Sequence, residues 1–229
     1  MDKNKLTLYN INYMRLYLSS YKFGNFTDEL LKLVGNNKKV AVIGNSRDWS
    51  QDRERAEKGL REQIQTLNSF GFSAEKLDLK KYFGKKEALK EYLSTFGLVW
   101  VLGGNTFVLK RAYEQSGFDL IIKEMLAKDK IVYGGYSAGV VILSPSMKGL
   151  EIVDDPNIVP ERYAPEFSWD GLGLVDYNIA VHYRSDHPES AAVETEIEYL
   201  EKNKIPYKTL RDGEVIVING NKETIRRLK

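Results

Sequence analysis

The sequence predicts an α/β fold, a three-layer sandwich built on a mostly parallel sheet. Short apolar segments alternate with amphipathic segments from residue 15 to residue 134, as expected for βαβ units. The segments 98–102 and 131–134 are apolar throughout, without polar alternation. Strands that are apolar on both faces are typical of a parallel sheet covered by helices on both sides.

The elements of this alternating region follow from periodicity and end signals. We predict strands at 15–19, 39–43, 72–79, 98–102 and 131–134, and helices at 27–34, 51–70, 87–96, 106–115 and 118–128. Thr27 and Ser50 stand where helix caps are expected. Gly35 and Gly71 follow the ends of the first two helices.

The C-terminal part has a different pattern. We predict strands at 175–181, 207–210, 215–218 and 223–227, with a helix at 188–203. Asp212-Gly213 and Asn219-Gly220 separate the last three strands, and such dipeptides favour tight hairpin turns. The sheet is therefore expected to end in an antiparallel meander. We predict a single domain over 14–229, with residues 1–13 as an N-terminal extension.

Composition narrows the function classes. The chain has 229 residues, 42% of them hydrophobic and 29% charged, which is ordinary for a soluble globular protein. A net charge of +2 gives no indication of nucleic-acid or membrane binding. The chain has no cysteine, which excludes disulfides, thiolate metal sites and a cysteine nucleophile. With no secretory signal and no apolar run of bilayer length, we expect a cytoplasmic protein.

A serine lies within the glycine-rich stretch IVYGGYSAGVVIL. The segment from Gly135 to Gly139 matches G-x-S-x-G, after an apolar strand and before an apolar helix. A capping serine in a plain turn would explain the five residues alone. The strand–turn–helix context favours Ser137 as a nucleophile, with the amide of Ala138 at a helix N-terminus.

A serine nucleophile needs a base and an acid that orients it. The chain has two histidines: His182 ends a predicted strand, whereas His187 lies on the following loop. His182 is therefore the candidate base. The candidate acids between Ser137 and His182 are Glu151, Asp154, Asp155, Glu161, Glu166, Asp170 and Asp176. Physical reasoning from the sequence does not choose among them.

A second glycine pair, Gly103-Gly104, follows the predicted strand 98–102 and precedes a helix. Its backbone amides are expected at the same sheet edge as the serine. A phosphate-binding loop is the alternative, but the pair lacks the G-K-[ST] ending, which argues against P-loop chemistry.

Taken together, these motifs resemble a known family. The stretches GGNTF (103–107) and YSAG (136–139), the pair Asp155-Pro156 and the pattern I-x-x-H-Y (179–183) occur in the order of peptidase E. Peptidase E is the aspartyl dipeptidase family of serine peptidases and is related to cyanophycinase. The resemblance implies a fold similar to class I glutamine amidotransferases, which is flavodoxin-like.

The resemblance also implies roles for particular residues. It makes Ser137 the nucleophile and His182 the base, with the amides of Gly104 and Ala138 as the oxyanion hole. The family's acid lies some fourteen or fifteen residues after the serine, which makes Glu151 the best match and Asp154 the reserve. Asn105, Arg184 and His187 are further candidates for the substrate site, the last two because they lie on the loop that follows His182.

One segment departs from the family pattern. Glu194-Thr195-Glu196 stands where the family carries E-T-R, whose arginine is a partner for the substrate aspartate. Arg184 is the nearest basic substitute; alternatively, it is a solvated loop residue. A strict preference for N-terminal aspartate therefore does not follow from the resemblance.

The sequence thus predicts a serine peptidase that hydrolyses short peptides without a metal or organic cofactor. The alternatives are an esterase, an isopeptide hydrolase of the cyanophycinase type, and a non-catalytic peptide- or small-molecule-binding module on the same fold. The sequence indicates no oligomeric state.

Overall fold

The computed structural model describes residues 13–227. Its central sheet has seven strands in the order β3-β2-β4-β5-β1-β8-β9, and β6 and β7 form a separate two-stranded sheet. The strands are β1 (Arg15–Ser19), β2 (Lys39–Ile43), β3 (Ser73–Leu77), β4 (Leu98–Val101), β5 (Val132–Tyr136), β6 (Asn178–Ala180), β7 (Tyr207–Thr209), β8 (Val215–Asn219) and β9 (Lys222–Arg226).

Helices cover both faces of the central sheet. They are α1 (Thr27–Val34), α2 (Arg53–Ser69), α3 (Lys86–Leu93), α4 (Thr106–Ser116), α5 (Phe118–Ala127), α6 (Ala138–Val141) and α7 (Ser190–Lys202). Alternate residues of the strands belong to two apolar clusters. One cluster includes side chains of α1 and α2, and the other includes side chains of α3, α4, α5 and α6. This arrangement confirms an α/β fold with a mostly parallel sheet and flanking helices.

Strand register places three chain segments side by side at one edge of the sheet. β1 and β5 are parallel with Ser19 opposite Tyr136, and β4 and β5 are parallel with Val101 opposite Gly135. The loops that leave these strands begin at residues 20, 102 and 137. They therefore emerge next to one another at the carboxyl ends of the strands, where α/β sheets bind ligands.

The predicted C-terminal meander is only partly correct. β8 pairs antiparallel with β1 and with β9, and the register of Asn219 opposite Lys222 confirms the hairpin at Asn219-Gly220. β7, however, pairs in parallel with β6 in the small sheet. Asp212-Gly213 is therefore not a hairpin turn, because it connects strands of two different sheets.

Two predicted helix caps are wrong. At α1 the capping position is Phe26, which makes no side-chain hydrogen bond, and Thr27 is already helical. α2 begins at Arg53, and its capping carboxylate is Asp52, which accepts the N–H of Arg55. In both helices the capping position belongs to a nearby residue and not to the serine or threonine that we predicted.

The predicted extension at 1–13 falls almost entirely outside the described residues, which begin at exposed Tyr13. The single domain over 14–229 stays a prediction. Within residues 13–227, none of the helices combines the length and the apolar character that a membrane-spanning segment needs.

Candidate active site

Ser137 occupies a strained turn between β5 and α6. Its backbone has φ 50° and ψ −121°, a conformation rare for a residue with a side chain. Its N–H donates to the carbonyl of Ser20 (3.2 Å). A Cβ on Gly135 or Gly139 would lie 2.7 or 2.6 Å from the carbonyl oxygen of Val101. The small residues around the serine are therefore needed for the turn to pack against β4.

The loop after β4 packs directly against this turn. A Cβ on Gly103 would lie 2.8 Å from the Cβ of Ser137. Gly104 has φ +148°, and a Cβ there would lie 2.6 Å from the Ser46 carbonyl oxygen. The N–H groups of Gly104 and Ala138 donate no hydrogen bond within residues 13–227. Two free backbone donors thus flank Ser137, as an oxyanion hole requires.

His182 lies two residues after the end of β6 and is fully buried. Its φ of 58° is also in the left-handed region. Its backbone N–H donates to the hydroxyl of Ser20 (2.8 Å), and its Nδ1 lies 2.7 Å from Oδ1 of Asp212. The Ser20 hydroxyl in turn donates to the same Asp212 oxygen (2.8 Å). Ser20 and Asp212 together fix both the backbone and the ring of the histidine.

The Asp212 contact determines which ring nitrogen of His182 carries the proton. Burial alone would raise the pKa of Asp212, but the hydrogen bonds from His182 and Ser20 outweigh it and lower that pKa below its usual range. The ionised carboxylate only accepts hydrogen bonds, so Nδ1 is the protonated nitrogen. The lone pair of Nε2 then remains available to take a proton from a nucleophile.

Nε2 of His182 is buried and has no hydrogen-bond partner within the described range. The expected hydrogen bond to the Ser137 hydroxyl is therefore not formed in this structure. Such contacts are often long in the absence of substrate and tighten when it binds. A carboxylate oxygen of Glu189 lies 3.9 Å from Nε2.

The structure does not place Glu151 on the histidine, and this expectation is corrected. Glu151 is exposed and accepts the N–H of Gly149 (2.7 Å), within its own turn. The reserve candidate Asp154 accepts the N–H of Thr106 (2.8 Å). Neither carboxylate hydrogen-bonds His182, whereas Asp212 does.

The expectation that Asn105 binds substrate is also corrected, because both its side-chain oxygen and its side-chain nitrogen bond to groups within the fold. Its Oδ1 accepts the N–H of Val108 and caps α4, and its Nδ2 donates to the carbonyl of Asp155 (3.0 Å). The residue is 3% exposed. It supports the loop that carries Gly104 rather than facing a substrate.

Arg184 does not reach the site. Its side chain is 60% exposed, and its Nε donates to a carboxylate oxygen of Glu194 (3.3 Å). The alternative interpretation of Arg184 as a solvated loop residue is the one that the structure supports.

Ser137 and His182 line one cleft of about 580 Å³. Gly104 and His187 line it too, as do the exposed aromatic side chains of Tyr21 and Trp49. This volume is typical of small-ligand sites. Of the three residues expected to bind substrate, only His187 lies in the cleft.

Among residues 13–227, His182, His187 and Glu189 form the cluster of side chains that could hold a metal. Their potential ligand atoms lie within 4.8 Å of one another. The two imidazole rings, however, are stacked in parallel, with centroids 3.6 Å apart and planes 5° apart. The lone pairs of a histidine lie in its ring plane, so those of the two rings do not converge on one point. This arrangement does not form a metal site as it stands.

Three residues of the site escaped the sequence analysis: Ser20, Arg47 and Asp212. Ser20 and Arg47 are polar residues just after predicted strands, at the same edge as Ser137. Their position after these strands is the signal that could have identified both as site residues. Asp212 follows a predicted strand as well, but the Asp-Gly pair was interpreted as a turn.

The fold and the site define an α/β protein with a serine and an aspartate-paired histidine in one cleft. The chain belongs to Peptidase family S51, which matches residues 18–226. It is therefore a peptidase. The more specific likeness to class I glutamine amidotransferases stays a prediction.

Individual relatives agree with this assignment. An uncharacterized peptidase of Listeria monocytogenes is 30% identical over 165 residues, covering 71% of this chain and 75% of the relative. A Drosophila melanogaster protein named "Probable alpha-aspartyl dipeptidase" is 32% identical over 162 residues, covering 68% of this chain and 61% of the fly protein. The crystal structure of a candidate peptidase E from Listeria monocytogenes EGD-e superposes with a TM-score of 0.74 at 24% identity, covering 94% of this chain and 99% of that one. This last likeness shows the shared fold.

Glu196 on α7 is a buried carboxyl near the site. It is 2% exposed, and burial, together with the charges of Asp154 and Glu151, raises its pKa to about 8. Between its ordinary pKa of about 4.3 and this value, the folded chain binds a proton that the unfolded chain has lost. The contribution of Glu196 to the free energy of unfolding is therefore fully present below its ordinary pKa, and it is lost as the pH rises to about 8.

We therefore expect Glu196→Gln to stabilise the protein more at pH 8 than at pH 5. The free energy of unfolding from urea titrations should show a gain that grows by up to about 1.4 kcal/mol per pH unit. The control is Glu198→Gln, at an exposed position of the same helix. An equal effect of Glu196→Gln at both pH values would contradict the assignment of a neutral, buried Glu196.

Proposed function

We propose that this chain is a serine peptidase that hydrolyses short peptides, a dipeptidase of the peptidase E type. One observation carries the proposal. Ser137 stands in a strained strand–helix turn and shares a cleft with His182, whose ring is oriented by Asp212. A nucleophile, a base and an orienting acid on separate segments are the arrangement that serine hydrolysis needs.

In the first half of the reaction, the Ser137 hydroxyl attacks the scissile carbonyl. His182 takes the hydroxyl proton at Nε2, while Asp212 holds Nδ1–H and stabilises the imidazolium that forms. The amides of Gly104 and Ala138 donate to the oxyanion. Losing one such donor typically raises the barrier by about 3–4 kcal/mol.

In the second half, His182 passes the proton from Nε2 to the leaving amine, which departs and leaves an ester on Ser137. Water then enters, gives a proton to Nε2 and attacks the ester. As the resulting tetrahedral intermediate collapses, Nε2 returns this proton to the Ser137 oxygen, which releases the acid and restores both the serine hydroxyl and the neutral histidine. These steps use only protein groups and water.

Short peptides are the substrates that the site supports best. Membership of Peptidase family S51 favours amide cleavage over ester cleavage. The cleft of about 580 Å³ suits a small ligand better than a folded chain. Preference for an N-terminal aspartate is not part of this proposal, because Arg184 lies outside the cleft.

We expect Ser137→Ala to abolish peptide hydrolysis and labelling by a fluorophosphonate, while thermal unfolding still shows a cooperative transition. The loss follows because no other hydroxyl replaces the attacking oxygen. Labelling is read by mass spectrometry of the intact protein and its peptides. A label that persists on another serine of the Ser137→Ala variant would contradict the assignment.

Asp212→Asn should lower kcat/KM by about 10²- to 10⁴-fold, because an amide no longer fixes the catalytic tautomer of His182. Glu151→Gln is the matched control and should stay within about threefold of the wild type, as expected of an exposed side chain. Both variants are compared on one dipeptide at one pH. A larger loss in Glu151→Gln than in Asp212→Asn would restore Glu151 as the acid.

A further inference from the structure

Arg47 lies beside the nucleophile turn and is held by two hydrogen bonds. It ends the short turn Asn45–Arg47 after β2. Its Nε donates to the carbonyl of Gly103 (2.9 Å), and its Nη2 donates to the hydroxyl of Tyr136 (2.7 Å). Gly103 packs against Ser137, and Tyr136 precedes it. The guanidinium is thus fixed to both segments that flank the serine.

This guanidinium has no acidic partner within residues 13–227. The adjacent Asp48 pairs instead with Arg53 and Lys80. The Nη1 atom of Arg47 donates to no atom of the described chain. A partly buried cation without a counter-charge is unfavourable, and a carboxylate is the ligand that matches the planar, two-pronged guanidinium.

Gly59 on α2 packs against the unpaired end of Arg47. A Cβ on Gly59 would lie 2.6 Å from Nη1. Gly59 is inside α2, where glycine costs about 0.5–1 kcal/mol relative to alanine. Gly59 therefore lets Nη1 pack against α2, and both residues line the cleft that contains Ser137, so the guanidinium borders the candidate active site.

Other charges around the cleft favour an anion only slightly. Its cationic lining residues are Lys22, Arg47, Arg55 and Lys58, and its acidic ones are Asp52, Glu62 and Glu189. An excess of one positive charge attracts an anionic substrate to the cleft only weakly. Selection therefore depends on a positioned cation rather than on the overall field, and Arg47 is the one that hydrogen bonds hold in place next to the serine.

We propose that Arg47 binds a carboxylate of the peptide substrate and thereby determines which peptides are cleaved. This inference rests on the proposed peptidase function of the same cleft. A short peptide offers two such groups, an acidic side chain on its first residue and the C-terminal carboxylate of its second. Both have the same chemistry, and matched substrates distinguish them.

The experiment compares wild type, Arg47→Gln and Arg53→Gln on two pairs of substrates. Asp-Leu and Asn-Leu differ in the side-chain carboxylate, and Ala-Leu and its C-terminal amide differ in the terminal one. Glutamine removes the charge and keeps one NH2 group as a donor in place of the nitrogens that bond the Gly103 carbonyl and the Tyr136 hydroxyl. Arg53 is the matched control, because its side chain is 60% exposed and lies outside the cleft.

Arg47→Gln should lower kcat/KM by about 10- to 100-fold for the carboxylate-bearing member of one pair and spare its neutral partner. Loss within the Asp-Leu and Asn-Leu pair assigns Arg47 to the first side chain, and loss within the other pair assigns it to the C-terminus. An equal loss on all four substrates would show that Arg47 only supports the Gly103 loop. That result, or no loss at all, overturns the inference.

A binding measurement separates failure of this inference from failure of the proposed function. The same four peptides are titrated calorimetrically into Ser137→Ala and into Ser137→Ala/Arg47→Gln. Carboxylate-dependent binding that disappears with Arg47 supports the inference even if the wild type cleaves none of them. Binding that is unchanged by Arg47→Gln overturns it, whatever the wild type hydrolyses.

Discussion

Ser20 joins three distant segments at the carboxyl edge of the sheet through its backbone carbonyl and its buried hydroxyl. The Ser20 carbonyl accepts the N–H of Ser137, and its Oγ accepts the N–H of His182 and donates to Asp212. Ser20 is fully buried, so water does not replace these bonds. A buried donor left without its acceptor costs about 1–3 kcal/mol. The relative positions of the serine, histidine and aspartate therefore all depend on one residue at the end of β1.

The bonds of Ser20 also explain how two strained residues persist. Ser137 and His182 both have positive φ values, 50° and 58°. Each such conformation costs about 1–3 kcal/mol and survives only where the surroundings determine it. At Ser137 the close approach of Gly135 and Gly139 to β4 leaves little alternative. At His182 the bonds to Ser20 and Asp212 fix the backbone and the ring together. Strain at these two positions is consistent with a site in which geometry matters more than local stability.

Much of the fold could be predicted from the sequence, but only part of the site. β1, α1 and β2 agree with their predicted bounds, because burial and periodicity are local signals. The G-x-S-x-G motif that identified Ser137 is also a local signal, because it lies within five consecutive residues. Asp212 could not be found from a local signal. It lies 30 residues after His182 and reaches it only through the parallel pairing of β6 with β7. The resemblance to peptidase E placed the acid at Glu151 by spacing, which carries no information about where a side chain points.

The crystal structure of the protein with a phosphonate bonded to Ser137 Oγ would test this account most directly. The account predicts that Nε2 of His182 lies within hydrogen-bond distance of the adduct while Nδ1 remains on Asp212. It also predicts that a phosphoryl oxygen accepts from the amides of Gly104 and Ala138. An adduct on another serine, or a His182 ring whose Nδ1 has left Asp212 for another carboxylate, would contradict it.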